Sequence, residues 1–228
     1  MITDEWEMIR TEEKWIVAFR QVQAFWAHDG NPKRPHLLKK SGQHSDGLVN
    51  TRISELLLCN AASDLLLRFA QEGGCIANIQ GVVGPQIDTL NFAEVVANQV
   101  MVHNEGKDCF WSSPLKASKG EKGQVFTDED SRFLKNQQIL LCEDVLTTGD
   151  GVRATATAIT HAGGIVLPFI LTMVNRSQFL QIDGKSIVSL IRHQMFTWDA
   201  DMCPLCQTGS RAIRINSSEN VKLLTKRY

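Results

Sequence analysis

Two adjacent carboxylates stand between an apolar run and a turn of small residues in the middle of the chain. Glu143 and Asp144 follow residues 138–142 (QILLC), which have the composition of a buried strand. Carboxylates at the end of a strand can accept hydrogen bonds from vicinal sugar hydroxyls and still offer oxygens to a hydrated magnesium ion. Glu143 and Asp144 are therefore candidate ligands of a sugar and of Mg²⁺.

The turn after these carboxylates has the composition of an anion site. It consists of Thr147, Thr148, Gly149, Asp150 and Gly151. Small residues let backbone N–H groups converge on an anion, and the helix that follows adds its positive end, so the turn can hold a phosphate. A ribose phosphate would satisfy both halves of the segment. The alternative is an ordinary strand end with a helix N-cap at Asp150.

Two other nucleotide motifs do not fit the same segment. It lacks the Gly-Lys-Ser/Thr ending of a nucleoside-triphosphate loop, and its glycines do not have the dinucleotide-binding spacing.

Residues 139–153 resemble the motif of type I phosphoribosyltransferases, in which two acidic residues precede a Thr-Thr-Gly-type phosphate turn. Residues 40–46 (KSGQHSD) are similar to a Lys-Ser-Gly-x-x-Ser segment of orotate phosphoribosyltransferases, and residues 81–85 (GVVGP) resemble their diphosphate-binding turn. Arg153 falls where that family places an arginine that holds the carboxylate of orotate. The resemblance extends from about residue 37 to residue 192.

The resemblance implies a pentosyltransferase that moves ribose 5-phosphate from phosphoribosyl diphosphate to a nucleobase, orotate-like, in pyrimidine nucleotide synthesis. It also implies Mg²⁺ as cofactor and a homodimer. By this resemblance, Glu143 and Asp144 bind the ribose and the metal, and residues 147–151 bind the 5′-phosphate. Lys40, Gly84 and Pro85 bind the diphosphate, and Lys116 and Lys119 stabilise it as it departs. Arg153 binds the base.

Three segments depart from the orotate pattern. The loop at residues 112–123 keeps Lys116, Lys119 and Lys122 but lacks the Arg and His of the family's loop. Residues 86–88 (QID) replace a lysine, and residues 47–49 (GLV) replace aromatic residues near the base. A transferase for another base, and a non-catalytic regulator that binds phosphoribosyl diphosphate, therefore remain as alternatives.

Hydrophobic patterns predict the elements that position these residues. Strand-like runs and helix-like periods alternate three times between residues 79 and 191, which predicts an α/β fold with a mainly parallel central sheet flanked by helices. A helix is expected from Trp6 to Trp26, and an exposed mobile loop at residues 112–124. We expect an N-terminal helical extension (1–36), a phosphoribosyltransferase-like domain (37–195) and a C-terminal tail (196–228), and the fold that the resemblance implies includes a small hood.

Composition narrows the class of partner. A net charge of −1 gives no general attraction to nucleic acid, and neither a signal-like start nor a long apolar run is present. We expect a cytoplasmic protein that binds small molecules rather than nucleic acid or membrane. Cys203 and Cys206 have metal-knuckle spacing, with His193 upstream; zinc, a redox pair and simple packing are all open.

Overall fold

The computed structural model describes residues 11–85, 87–117 and 123–225, without the side chains of residues 87, 88, 90 and 218. The chain forms two compact units. The larger contains Ser54–Arg192, and the smaller contains Glu12–Ile53 together with the segment that begins at His193. The borders expected at residues 36/37 and 195/196 do not coincide with this division, because residues 37–53 cluster with the C-terminal segment.

Seven α-helices occur in the described part of the chain. They are α1 (Glu12–Gln21), α2 (Glu55–Gln71), α3 (Ile87–His103), α4 (Asp128–Leu134), α5 (Asp150–His161), α6 (Pro204–Gln207) and α7 (Ser218–Thr225). Short 3₁₀ turns lie at Ile76–Asn78 and Ala200–Met202.

The same residues contain fourteen strands. They are β1 (Phe25–Ala27), β2 (His36–Leu38), β3 (His44–Ser45), β4 (Gly47–Val49), β5 (Gly81–Val83), β6 (Phe110–Ser112), β7 (Leu115–Lys116), β8 (Gln124–Val125), β9 (Gln138–Leu146), β10 (Ile165–Asn175), β11 (Gln181–Ile182), β12 (Lys185–Arg192), β13 (Thr197–Trp198) and β14 (Ala212–Ile213).

The larger unit is built on a six-stranded sheet in the order β11-β12-β10-β9-β5-β6. Every neighbouring pair is parallel except the edge pair β11–β12. The central strands are apolar runs because both faces are covered; residues 139–142 of β9 are all buried. Helix α5 packs on β9 and β10, and α2 packs on β10 and β12. The predicted α/β fold is confirmed.

Helix α2 illustrates how local signals set an element. Ser54 precedes the helix with an extended backbone, and its hydroxyl accepts a hydrogen bond from the Leu57 N–H at 3.4 Å. The helix ends before Gly73, whose φ of +92° is easily adopted only by glycine. Both ends of the helix thus coincide with residues whose types favour a helix boundary.

The smaller unit contains a four-stranded sheet in the order β13-β3-β2-β14 and a separate β1–β4 pair. The helix expected from Trp6 to Trp26 is wrong at its C-terminal end: α1 stops at Gln21, Gln23 has a φ of +57°, and Phe25 pairs with Val49. Cross-strand pairing overrides the helical period here. The start of the expected helix lies outside the described residues.

Part of residues 112–124, the segment expected to be an exposed mobile loop, forms regular structure, and residues 118–122 lie outside the described residues. Strands β7 and β8 form an antiparallel pair in which Lys116 lies opposite Gln124. A two-residue ladder has too short a pattern to be recognised in sequence. Across the described ranges, no helix is both long and apolar enough to cross a membrane.

Candidate functional site

The predicted phosphate turn, residues 147–151, lies between the end of β9 and the start of α5. Residues 147–149 are bends and the helix begins at Asp150, so this stretch is not continuous helix. Gly149 occupies the N-cap position in the left-handed region (φ +77°), and no side chain caps the helix start. The Asp150 N–H donates to the Thr148 hydroxyl at 3.4 Å, and the N–H groups after it receive no side-chain oxygen from the N-cap residue, so they could bind an anion.

The start of α5 lies against the end of β5 and against a carboxylate of β9. A Cβ on Gly151 would stand 3.2 Å from Pro85 Cβ and 3.6 Å from Glu143 Oε1. Strands β5 and β9 are parallel neighbours, with Val83 opposite Leu141. The structure thus brings together the carboxylate, the turn after Gly84 and the phosphate turn, as the sequence predicts. Glycine at 151 keeps this approach open.

Glu143 has an unusual environment for a carboxylate. Its Oε2 atom is buried and has no hydrogen-bond partner among the described residues. Burial, and to a smaller extent the nearby charge of Asp144, raises the pKa of Glu143 to about 7. A buried carboxylate oxygen without a donor is costly on its own, so a ligand that supplies hydroxyl groups or positive charge would stabilise it.

Asp144 is half-buried and bound differently. Its Oδ1 accepts a hydrogen bond from the Val145 N–H at 2.8 Å, and the Thr172 hydroxyl donates to its backbone carbonyl at 3.3 Å. Successive side chains of a strand point to opposite faces. The acidic pair therefore offers oxygens on both sides of the strand end rather than as a single clamp.

A network of polar side chains holds the phosphate turn. The Thr148 hydroxyl donates to Asp150 Oδ2 at 2.8 Å. Arg153 Nη1 donates to the Thr148 carbonyl at 2.9 Å and lies 3.4 Å from Asp150 Oδ1, while its Nε lies 3.5 Å from Asp183 Oδ1. In this structure Arg153 braces the turn; its expected contact with a base carboxylate stays a prediction.

The hairpin β7–β8 is attached to the same edge by residues that the sequence reasoning missed. Gln124 Nε2 donates to the Pro85 carbonyl at 2.8 Å, and the buried Thr155 hydroxyl donates to Gln124 Oε1 at 2.6 Å. No sequence pattern marks this bridge. Lys116 is exposed on β7, and Lys119 lies outside the described residues, so their roles with diphosphate stay predictions.

Arg176 is a second cation near this edge that the sequence reasoning missed. It directly follows β10. Its backbone N–H donates to the backbone carbonyl of Leu146, the last residue of β9, at 2.9 Å. Its position in the sequence could have indicated this role. Ligands of parallel sheets bind beyond the carboxyl ends of the strands, so a basic residue directly after an apolar run is a candidate for ligand binding.

Two further predicted positions lie in the smaller unit. Lys40 is exposed in the turn between β2 and β3, and its expected role beside the diphosphate stays a prediction. Gly47, in the segment that replaces the family's aromatic residues, lies under Met195: a Cβ there would stand 2.3 Å from the Met195 sulfur. A larger side chain at this position would have to displace Met195.

Comparison with known proteins extends the resemblance over most of the chain. No protein-family model matches it. An orotate phosphoribosyltransferase of Acidithiobacillus ferrooxidans is 26% identical over 208 residues, covering 86% of this chain and 96% of that protein. One from Caldanaerobacter subterraneus is 27% identical over 206 residues, covering 90% of this chain and 97% of that protein.

A solved structure gives the same fold. The orotate phosphoribosyltransferase of Aeropyrum pernix superposes with a TM-score of 0.51 and 18% identity, over 91% of this chain and 95% of that chain. Together with the parallel sheet and the β9–α5 turn, these similarities identify the architecture. The chain has the type I phosphoribosyltransferase fold and is similar in sequence to orotate phosphoribosyltransferases.

Proposed function

We propose that this protein is an orotate-like phosphoribosyltransferase of pyrimidine nucleotide synthesis, which transfers ribose 5-phosphate from phosphoribosyl diphosphate to orotate and releases diphosphate. Its full-length relatives at 26–27% identity carry that name. A homodimer in the cytoplasm, as the family resemblance implies, is part of the proposal.

One observation carries the assignment: the Glu143 side chain, whose buried Oε2 has no partner, lies at the start of α5, where its Oε1 would stand 3.6 Å from a Cβ on Gly151. A ribose hydroxyl supplies the donor that Glu143 lacks, and a 5′-phosphate accepts from the N–H groups at the start of α5. A Cβ on Gly151 would stand 3.2 Å from Pro85 and 3.6 Å from Glu143 Oε1, so these two functions are close enough for one small ligand.

The carboxylates also suit a magnesium ion. The orphaned oxygen of Glu143 and the side chain of Asp144 are hard oxygen ligands, of the kind that hold Mg²⁺ directly or through water. When bound, Mg²⁺ would neutralise part of the charge on the diphosphate.

The protein's own residues contribute mainly by orientation. The reaction breaks the bond between the anomeric carbon and diphosphate and forms one to a ring nitrogen, so catalysis depends on aligning two bound substrates and excluding water. Glu143 and Asp144 would hold the ribose, residues 147–151 the 5′-phosphate, and Gly84 and Pro85 the diphosphate side. Lys116 and Lys119 would add positive charge as diphosphate departs.

Two arginines are candidates for binding the carboxylate of the base, and a second candidate function follows if neither of them does so. Arg153 is engaged by Thr148, Asp150 and Asp183, which leaves it less available to a base carboxylate than the resemblance implies. Arg176 follows β10 at the same edge. If neither arginine binds orotate, a transferase for another base becomes the better assignment.

Diphosphate release from phosphoribosyl diphosphate, measured with Mg²⁺ and a panel of orotate, uracil, adenine and hypoxanthine, tests the function. We expect turnover with orotate and little with the others. Turnover only with another base would replace orotate in the proposal. Binding of phosphoribosyl diphosphate without turnover on any base would show a non-catalytic binding protein.

Arginine variants then locate the base carboxylate. The residue that holds it should, when changed to Ala, raise KM for orotate about 10- to 100-fold, as expected for a lost charged hydrogen bond. Arg153→Ala and Arg176→Ala should be compared under identical conditions, with circular dichroism to check folding. An unchanged KM in both variants would exclude both residues.

A further inference from the structure

Four metal-ligating side chains converge in the smaller unit, in a group that we name the histidine–cysteine cluster: His36, His44, Cys203 and Cys206. Their nearest ligand atoms all lie within 4.8 Å of one another. His36 and Cys203 are fully buried, His44 is 7% exposed, and Cys206 lies at the surface. The proposed transferase function makes no use of these four residues.

The backbone brings the four residues together from the two ends of the chain. Strands β2 and β3 form a hairpin with Leu38 opposite His44, and β14 pairs with β2 so that Ala212 lies opposite His36. Cys203 is the N-cap residue of α6, and Cys206 lies within that helix. The hairpin and the C-terminal segment thus meet at this point.

The nitrogen–sulfur distances match those of a tetrahedral set of ligands, and the two imidazole nitrogens lie closer together than in such a set. His36 Nε2 lies 3.0 Å from His44 Nδ1, 3.6 Å from Cys203 Sγ and 3.5 Å from Cys206 Sγ, and Cys206 Sγ lies 3.3 Å from His44 Nδ1. Around a zinc ion with ordinary bond lengths, pairs of such ligand atoms are separated by about 3.3–3.8 Å.

A neighbouring hydroxyl fixes which nitrogen of His36 faces the cluster as an acceptor. The Ser210 hydroxyl donates its single proton to the Arg34 carbonyl at 2.6 Å, so it can only accept from His36 Nδ1, at 2.8 Å. Nε2 then carries the lone pair. Metal-bound histidines are held by the same kind of second hydrogen bond from their other ring nitrogen.

Hydrogen bonding alone does not satisfy this arrangement. His36 Nε2 has one in-plane lone pair, but three potential donors surround it: the ring nitrogen of His44 and the two thiols. One cation bound by all four groups would satisfy each of them.

We propose that His36, His44, Cys203 and Cys206 hold one Zn²⁺ ion in a closed, tetrahedral structural site. Two thiolates and two imidazoles are a zinc ligand set, whereas iron–sulfur clusters need more thiolates and Mg²⁺ prefers oxygen. All four positions are filled by protein, so the ion would not be catalytic.

The proposed zinc would act as a staple within the smaller unit. The apolar cluster that joins the two chain segments there is small: Trp26, Leu37, Ile213 and Leu224 are its buried members. Small units with limited cores are commonly stabilised by a metal or by disulfides. The ion would tie the β2–β3 hairpin to the C-terminal segment.

Metal analysis of the full chain, purified without chelators under reducing conditions, tests the proposal. We expect one zinc per chain in the wild type, and less than a tenth of that in Cys206→Ser, whose side chain is exposed and whose change should not prevent folding. Cys75→Ser, also at an exposed cysteine but outside the cluster, should keep the full zinc content. Wild-type protein without zinc, or equal zinc content in all three proteins, would overturn the proposal.

Cobalt replacement supplies a readout that does not depend on any variant folding. Titration of the chelator-treated, reduced wild type with Co²⁺ should produce thiolate-to-cobalt charge-transfer absorption and the intense visible bands of tetrahedral cobalt.

Ser210→Ala, which keeps all four ligands, should bind the ion about 10- to 100-fold more weakly. Octahedral cobalt without thiolate bands, or a Cys203–Cys206 disulfide that persists in the reduced preparation, would contradict the site. Neither readout involves transferase activity, so the two proposals fail independently.

Discussion

The phosphate turn of the larger unit and the histidine–cysteine cluster of the smaller unit both collect polar atoms, but with opposite balances. Glu143 Oε2 is a buried acceptor with no donor, whereas His36 Nε2 is a buried acceptor with three candidate donors. A vacant acceptor is completed by a ligand that brings hydroxyl groups or positive charge. An acceptor that is surrounded by several donors is satisfied by a cation, which takes the place of the donors' protons. The same principle, that buried polar atoms need partners, thus points to a transient ligand in one unit and a resident ion in the other.

The largest effect that would sharpen this comparison concerns the shape of the phosphate turn. Gly149→Ala places a side chain where φ is +77° and where Cβ would stand 2.4 Å from Ile182 Cδ1. Left-handed backbone costs about 1–2 kcal/mol and overpacking adds about 1–3 kcal/mol. We expect a lower Tm and weaker binding of phosphoribosyl diphosphate.

Gly184→Ala is the matched control, because φ there is +74° but nothing lies within 4 Å of the added Cβ. It should lose only the backbone contribution. Equal losses of Tm in both variants would mean that the side chain of Ile182 gives way to the added methyl group at position 149 without cost.

A smaller effect is expected from a substitution that should weaken binding of phosphoribosyl diphosphate in the larger unit and leave zinc binding in the smaller unit unchanged. Asp144→Asn removes a charge at the end of β9, and we expect affinity for magnesium-phosphoribosyl diphosphate to fall about 10- to 100-fold while zinc content stays unchanged. Calorimetry and metal analysis on the same preparation measure both. Unchanged affinity would remove Asp144 from the site.

The smallest effect tests whether the β7–β8 hairpin is attached to α5. Thr155→Val keeps the shape but removes the hydroxyl that donates to Gln124 Oε1, so stability should fall by about 1 kcal/mol. Thr157→Val removes a hydroxyl bond to a carbonyl of its own helix without touching the hairpin. If both variants unfold at the same denaturant concentration, the Gln124 bridge contributes nothing measurable.

The phosphate turn could be predicted because its parts are consecutive in the chain. An apolar run, two carboxylates, small residues and a helix start fall within residues 138–153, and each part has a local physical meaning. The α2 helix was readable for the same reason, since Ser54 and Gly73 mark its ends locally.

The histidine–cysteine cluster could not be assembled in the same way. Cys203 and Cys206 are visible in sequence as a pair, whereas His193 does not join their cluster: it packs edge-to-face on Phe25 with ring centroids 5.4 Å apart. His36 and His44 reach the cysteines only through the pairing of β2, β3 and β14, which depends on contacts between distant segments. The strand at Phe25 and the Gln124 bridge were missed for the same reason, because no local signal encodes pairing across the chain.

Equilibrium binding to Glu143→Gln tests most directly the claim that the vacant carboxylate oxygen is a ligand site. The change keeps the shape and removes the charge, and Asp108→Asn, at an exposed carboxylate of the same unit, is the control. By calorimetry with magnesium-phosphoribosyl diphosphate, we predict wild-type affinity for the control, and about 10- to 100-fold weaker binding for Glu143→Gln at an undiminished Tm. Wild-type affinity in Glu143→Gln would contradict the account.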